Sequence, residues 1–227
     1  MKVTRIAETK LIDPTFGGVF SREGDVTDAD HLAEGAGRAC YESWSRPNPK
    51  TAKNADYIRS TVHEKAHESI TAHASVTYYI TGVSRALTHE LIRHRFLAFS
   101  ELSQRYVDIE NLEFVDPPLL RGIAEWPFYK EMVSRAVRFA YKSLVGLLTP
   151  LTGSRKRARE AARSVFPNMT ETRIVVSGNI RAWRDFIKQR WSVHADAEIR
   201  ELAGEILKDL RKVAPNTFAD IPEEPYE

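Results

Sequence analysis

The sequence predicts an α+β fold, a mixed sheet flanked by helices within one domain over residues 1–227. Three observations predict it. Ala74–Thr81 and Thr172–Ser177 concentrate β-branched and aromatic residues, the composition of half-buried strands. Two longer stretches repeat apolar residues at steps of three or four: Met132, Ala136, Ala140, Leu144 and Leu147, then Ile199, Leu202, Ile206 and Leu210. No internal repeat, low-complexity tract or long linker divides the 227 residues, and the helices gather around several strands.

In chain order, residues 1–12 alternate apolar and polar and read as an opening strand, followed by a Gly/Pro-containing turn region over 13–24. A first helix runs from about Asp28 to Cys40, with acids at its start as the helix dipole prefers. The stretch 43–56, with two prolines and two asparagines, is a loop, and a second helix spans roughly Asp56 to Glu68. Ala74–Thr81 is the clearest strand. Ser84 caps a short helix that carries Leu87 and Leu91. Residues 96–118 mix strand and loop. A helix of about five turns carries the Met132–Leu147 stripe, Thr152-Gly153 breaks it, and a further helix covers roughly Arg155–Val165 before Pro167. After the strand Thr172–Ser177 a helix runs from about Ile180 to Arg190. The tail beyond Lys212, with four acids and no base, reads as trailing over the surface.

Composition narrows the function. Lys plus Arg is 33, Asp plus Glu is 31, and the net charge of +2 excludes a globally basic nucleic-acid coat. With 42% hydrophobic and 28% charged residues the chain is expected to fold. The single cysteine, Cys40, excludes an intrachain disulfide framework and Cys-rich metal sites; a buried structural thiol is favoured over a nucleophile. No apolar run approaches the roughly 18 residues of a membrane span, and the charged N-terminus lacks a secretory h-region, so a cytoplasmic protein without membrane or nucleic-acid partners is expected.

Three constellations carry chemistry. His63-Glu64-Lys65-Ala66-His67 fits H-E-x-x-H, and His73 falls where a third zinc ligand would sit, which offers a zinc metallopeptidase as one alternative. Against it, Ile70 replaces the glycine that lets the chain turn, and no methionine suits the later Met-turn, so no metal is expected. Arg155, Arg159 and Arg163 at i, i+4 and i+8 form a basic stripe with Glu160 the only acid nearby, pointing elsewhere; a solvated helix face is the plain reading and an anion site the sharper one. No phosphate loop or complete dinucleotide fingerprint accompanies it: Gly35-Ala36-Gly37 lacks the third glycine. The third constellation is residues 93–106, RHRFLAFSELSQRY. If extended, Arg93 and Arg95 face one way and His94 the other, and Ser103 and Arg105 share a face, an arrangement suited to phosphate or carboxylate. A bland basic strand end also fits. A Ser103–His94 nucleophile pair has no Asp or glycine-rich elbow to support it.

Arg93-His94-Arg95, then seven residues and Ser103, resembles the signature of the flavin-dependent thymidylate synthases. Ala66-His67-Glu68-Ser69 with Ala72-His73 resembles the family's upstream flavin-binding stretch. Arg163 before Pro167, Asn179-Ile180-Arg181, and Arg190 with His194 follow in family order, so the resemblance covers roughly residues 35–215. It implies an α+β homotetramer with active sites where subunits meet. Such an enzyme makes dTMP from dUMP, with FAD as hydride carrier, methylenetetrahydrofolate as carbon donor and NADPH as reductant. By position it assigns Ser69, Arg93, His94, Arg95, Glu101, Asn179, Ile180, Arg181 and Asp185 to the flavin. To dUMP it assigns Glu90, Leu91, Ile92, Arg93, Glu101, Leu102, Ser103, Gln104, Arg105, Arg163 and Arg190. Ala98 and Ser100 stand where some members carry Ser and Asn, and Asp185 replaces an amide, an uncomfortable carboxylate beside an anionic cofactor.

The residue chemistry agrees with that implication. Cys40 lies outside every arginine cluster, so thiolate addition to the pyrimidine is disfavoured. Arg190 is the candidate to stabilise dUMP after loss of its N3 proton, Ser103 positions substrate, and Arg105 and Arg163 hold the phosphate. A non-catalytic nucleotide-binding regulator would use the same arginines. Residues 153–190 hold ten bases against three acids, a local excess that the whole-chain charge conceals.

Overall fold

The computed structural model describes residues 1–109, 111 and 113–227. Four strands, β1 (Lys2–Glu8), β2 (Ser75–Ser84), β3 (Ala98–Glu101) and β4 (Glu171–Asn179), form one sheet in the order β1-β2-β4-β3. The helices are α1 (Asp28–Ala39), α2 (Asn54–Ile58), α3 (Arg85–Leu91), α4 (Trp126–Thr152), α5 (Arg155–Ala162), α6 (Ile180–Arg190) and α7 (Ala197–Val213). The architecture is α+β, as expected. The chain divides into two compact units, one of Met1–Lys2, Ile80–Arg93 and Ser100–Val175, the other of Val3–Tyr79, His94–Phe99 and Val176–Glu227.

In the second unit the order follows from local chemistry. Asn179 ends β4 and caps α6, its side-chain oxygen accepting from the Ala182 N–H at 2.8 Å. Ile180, Trp183, Phe186 and Ile187 then recur on one face and are buried. The α7 stripe Ile199, Leu202, Ile206 and Leu210 is also buried, as its periodicity predicts. Trp183 Nε1 donates to the Val76 carbonyl at 3.2 Å, so β2 and α6 are joined by both a ring and a hydrogen bond. Burying these four α7 side chains contributes about 1.5–3 kcal/mol each by transfer.

Two expectations fail in this unit. The helix expected over Asp56–Glu68 is α-helical only through Ile58, then wound as a π-helix over Arg59–Glu64. Ala66 turns the chain at φ 56°, and a 3-10 turn follows over Glu68–Ala72. The β-branched pair Thr61-Val62 sits inside the widened turn, with Val62 drawn into a cluster with Ala33, Tyr57, Ile58 and Ile70. The tail does not trail. Val213, Ala214, Thr217, Phe218 and Ile221 are buried. Asp30 accepts from the Asn216 N–H at 2.8 Å, the Thr217 N–H at 3.1 Å and the Thr217 hydroxyl at 2.6 Å.

In the first unit Ser84 accepts from the Leu87 N–H and caps α3 as predicted. Helix α4 is longer than the five turns expected, running 27 residues to Gly153, which closes it at φ 63°. Its core face centres on Tyr141, with Leu144 and Val145 packed beside Ile109, Ala162 and Phe166. Met132, Ala136 and Leu147 of the expected stripe are exposed, and so is Phe139 at 76%. Residues 96–118 hold β3 and loop as read, although Glu110 and Leu112 within them lie outside the described residues.

Gly178 lets β4 pass close to the turn after His94. A Cβ there would come 2.3 Å from Leu97 Cδ2, and Leu97 is itself buried. Gly178→Ala should therefore destabilise the protein by about 1–3 kcal/mol, read as a lower urea midpoint with unchanged slope.

Candidate functional site

Two groups of side chains draw on the residues singled out above. The first belongs to the unit carrying α6. The chain leaving Arg93 is a turn rather than an extended strand, closed by the Leu97 N–H donating to the His94 carbonyl at 3.1 Å. Even so, Arg93 and Arg95 are exposed and His94 is buried, at 8% exposure. The His94 ring meets Phe186 edge-on at 5.1 Å, and its Nε2 accepts from Arg190 Nε at 3.0 Å. Burial and the adjacent Arg190 charge push the His94 pKa down to about 4. The imidazole is thus neutral at pH 7, with its proton on Nδ1, and Arg190 at the end of α6 keeps the charge.

The start of α6 opens onto a cavity of about 190 Å³ lined by Ala72, Phe96, Asn179, Arg181, Ala182 and Asp185. Three of these, Asn179, Arg181 and Asp185, are positions the resemblance assigns to flavin. Ala72 belongs to the stretch that resembles the family's upstream flavin-binding segment, whereas Phe96 and Ala182 were missed; Phe96, 80% exposed beside the basic triplet, was the available signal. Ile180 is buried, so only its backbone can reach a ligand, while Ser69 is exposed on the 3-10 turn.

The second group belongs to the other unit. Glu101, at the end of β3, holds three donors on one oxygen: Arg85 Nη1 at 3.1 Å, the Thr88 hydroxyl at 3.0 Å and the Thr172 hydroxyl at 3.0 Å. These three partners fix the orientation of the carboxylate. Ser103, Gln104 and Arg105 follow in a turn, with the Val107 N–H donating to the Ser103 carbonyl at 3.0 Å, so Ser103 and Arg105 do not share a strand face. Gln104 is buried, and its Nε2 has no hydrogen-bond partner among the described residues. A buried donor left unmade is costly unless a ligand completes it. Glu90 and Leu102 are half-buried, Ile92 is exposed, and Leu91 is fully buried, which leaves Leu91 only its backbone to offer.

The basic stripe is not a free row of guanidiniums. Arg159 donates to Asp108 at 2.6 Å and to the Tyr106 carbonyl at 3.0 Å, while Glu160 turns to Arg105 at 3.2 Å, away from the stripe as read. Arg163 is half-buried in a 3-10 turn just past α5.

The helical premise of the zinc alternative fails, because the π-helix and the turn at Ala66 separate His63 from His67. His63 Nε2 lies 3.2 Å from the Thr217 carbonyl and 3.4 Å from Asp220 Oδ1, and His67 and His73 are exposed. Among the described residues no group of three His, Cys, Asp or Glu side chains is arranged to hold a metal. No described helix is long and apolar enough to cross a membrane. Cys40, expected buried, is exposed where α1 ends, its thiol directed at the Ala36 carbonyl 3.4 Å away.

The depressed His94 pKa has a stability consequence. An unfolded chain takes up the proton near 6.5 and the folded one only near 4, so the stability from the neutral ring is complete above about pH 6.5 and drains away as pH falls toward 4. His94→Gln should show a smaller loss of urea midpoint between pH 7 and pH 4.5 than the parent protein.

Relatives agree with the family that the resemblance named. The family model described as "Thymidylate synthase complementing protein" matches residues 24–216. A probable flavin-dependent thymidylate synthase of Mycobacterium phage D29 is 49% identical over all of this chain and 98% of its own length. The flavin-dependent thymidylate synthase of Mycobacterium tuberculosis (strain ATCC 25177 / H37Ra) is 52% identical, covering 97% of this chain and 89% of the relative. Among solved structures, Thymidylate Synthase X from Helicobacter pylori, crystallised with FAD and dUMP, superposes with a TM-score of 0.65 at 20% identity over 97% of this chain and 98% of that one. A family model that spans most of the chain and relatives near half identity along its whole length lead to one conclusion: the chain belongs to the flavin-dependent thymidylate synthases, methyltransferases that make dTMP.

Proposed function

We propose that this single catalytic domain methylates dUMP with methylenetetrahydrofolate as carbon donor, FAD as hydride carrier and NADPH as reductant, and that Arg190 drives the step at the pyrimidine. The observation that carries this reading is the Arg190–His94 hydrogen bond, which holds a permanent cation by its Nε on a neutral acceptor. A guanidinium held this way stabilises the dUMP ring once N3 has lost its proton, leaving C5 electron-rich enough to accept the one-carbon unit. A hydrogen bond to a charged group is worth about 1.5–3 kcal/mol. At about 1.36 kcal/mol per pKa unit, one such contact lowers the N3 pKa by about one to two units. No thiol shares this task, since Cys40 lies at the exposed end of α1.

The remaining roles follow from chemical type. The unpaired Nε2 of Gln104 supports a hydrogen bond to dUMP, and Ser103 positions the nucleotide. Arg105 and Arg163 take its phosphate, Arg105 exchanging its Glu160 partner for the stronger anion. Glu101, fixed by Arg85, Thr88 and Thr172, presents its second oxygen as an acceptor. Glu90, Leu91, Ile92 and Leu102 complete the dUMP contacts, Leu91 through its backbone and Glu90 and Leu102 from half-buried positions.

The flavin fits the chemistry of the cavity at the start of α6, where Phe96, Ala72 and Ala182 give apolar surface and Asn179 and Arg181 polar ends. Asp185, an acceptor-only carboxylate, suits an N–H of the ring rather than a phosphate. Arg93, Arg95 and Ser69 are exposed and able to hold the cofactor's anionic part. When bound, the flavin supplies the hydride that turns the transferred methylene into methyl. A cytoplasmic homotetramer with active sites at subunit interfaces completes the reading. Phe128, Phe139 and Leu151 of α4, all at least 70% exposed, supply the apolar surface that such an assembly buries.

Purified protein should be yellow and should form dTMP from dUMP only with NADPH and methylenetetrahydrofolate present. Arg190→Ala should lower dTMP formation at least about a hundredfold while retaining the flavin absorbance bands. Turnover like that of the parent would remove the residue's role. Binding of dUMP with no NADPH oxidation would instead favour the nucleotide-binding regulator.

A further inference from the structure

Arg184 is the least expected residue of α6. It is a cation at 1% exposure, one position before Asp185 and one turn after Arg181, yet it faces away from solvent. Its guanidinium forks onto Asp220, with Nη1 to Oδ1 and Nη2 to Oδ2 both at 2.8 Å, and Nη1 also donates to the Thr217 carbonyl. On the other side Nη2 lies 3.6 Å from Glu68 Oε1, and that same oxygen takes Lys188 Nζ from the next turn of α6. Burial raises the Asp220 carboxyl, but the Arg184 hydrogen bonds and charge outweigh it and hold the group below the usual carboxylate range.

The two walls joined in this way are the walls of the α6 cavity. Glu68 opens the 3-10 turn that bears Ser69 and ends in Ala72, and α6 bears Arg181, Ala182 and Asp185. Asp220 ties both to a tail whose backbone is itself fixed by Asp30. Removing one member of a buried charged group leaves the others desolvated and unpaired, so α6 and the turn have to shift.

We propose that Glu68, Arg184 and Asp220 are positioning residues for the flavin. They form a charge clamp through which the C-terminal segment sets the spacing of the turn and α6, and with it cofactor affinity. The inference rests on the reading of this cavity as the flavin site. It explains why an acidic tail folds back onto the protein and why a guanidinium is buried where an apolar side chain would pack more simply.

The test compares flavin dissociation constants, from fluorescence quenching on titration of apoprotein with FAD, for the parent, Glu68→Gln, Asp220→Asn and Glu223→Gln. Glu223 is exposed and pairs only with Arg211, at 2.8 Å, among the described residues, so it serves as the tail control. The clamp predicts at least tenfold weaker flavin binding for Glu68→Gln and Asp220→Asn, an altered spectrum of the bound flavin, and parental values for Glu223→Gln. Dissociation constants and spectra equal to the parent's, even with a lowered melting temperature, would mean that the group merely stabilises the fold. Should Asp220→Asn fail to fold, Glu68→Gln, at the half-exposed end of the clamp, decides alone. A parent protein that binds no flavin overturns the cavity assignment and the clamp with it, a result distinct from equal binding by all four proteins.

Discussion

A cation and an imidazole 3.0 Å apart cannot both be charged without strong repulsion, and the organisation around Arg190 depends on how this pair resolves it. The arginine cannot give up its proton, so the histidine must be the neutral partner. Burial against Phe186 makes that outcome secure, because it penalises the imidazolium independently of Arg190. The basic triplet thereby has two functions. Arg93 and Arg95 stay exposed for anions, while the middle residue turns inward and becomes the support for a cation supplied by α6.

Helix α6 concentrates several requirements in eleven residues. Asn179 caps its start and lines the cavity; Trp183, Phe186 and Ile187 bury its inner face; Arg184 holds it to the tail; Arg190 ends it. Each residue type is forced by its place. A capping amide satisfies the first free N–H groups, a planar fork matches a carboxylate bidentately, and a cation at the C-terminus sits favourably in the helix dipole. The same dipole adds to the reasons why a charge at position 190 is stable there.

Much of this was legible because the signals are local. The helix expected from about Ile180 to Arg190 after the strand Thr172–Ser177 is α6 almost to the residue, and the spacing from Arg93 to Ser103 marks the family. What was not legible depends on tertiary partners. Two histidines four apart suggested one helical face, but Val62 is held in a core that widens the helix into a π-turn, and Ala66 then reverses the chain. The tail was read by its charges, although Phe218 and Ile221 among them already suggested burial. Nothing near His94 in sequence shows that Arg190, 96 residues later, donates to its ring. The exposed thiol of Cys40 and the Glu160–Arg105 pair likewise reflect neighbours that spacing does not reveal.

The central claim is that a neutral His94 holds a permanently charged Arg190 in place. The most direct test is the ¹⁵N chemical shift of the two His94 ring nitrogens in uniformly labelled protein, followed from pH 8 to pH 4. The account predicts a protonated Nδ1, an unprotonated Nε2 and no titration until close to pH 4. A ring that titrates near 6.5, or that carries its proton on Nε2 at neutral pH, would contradict it.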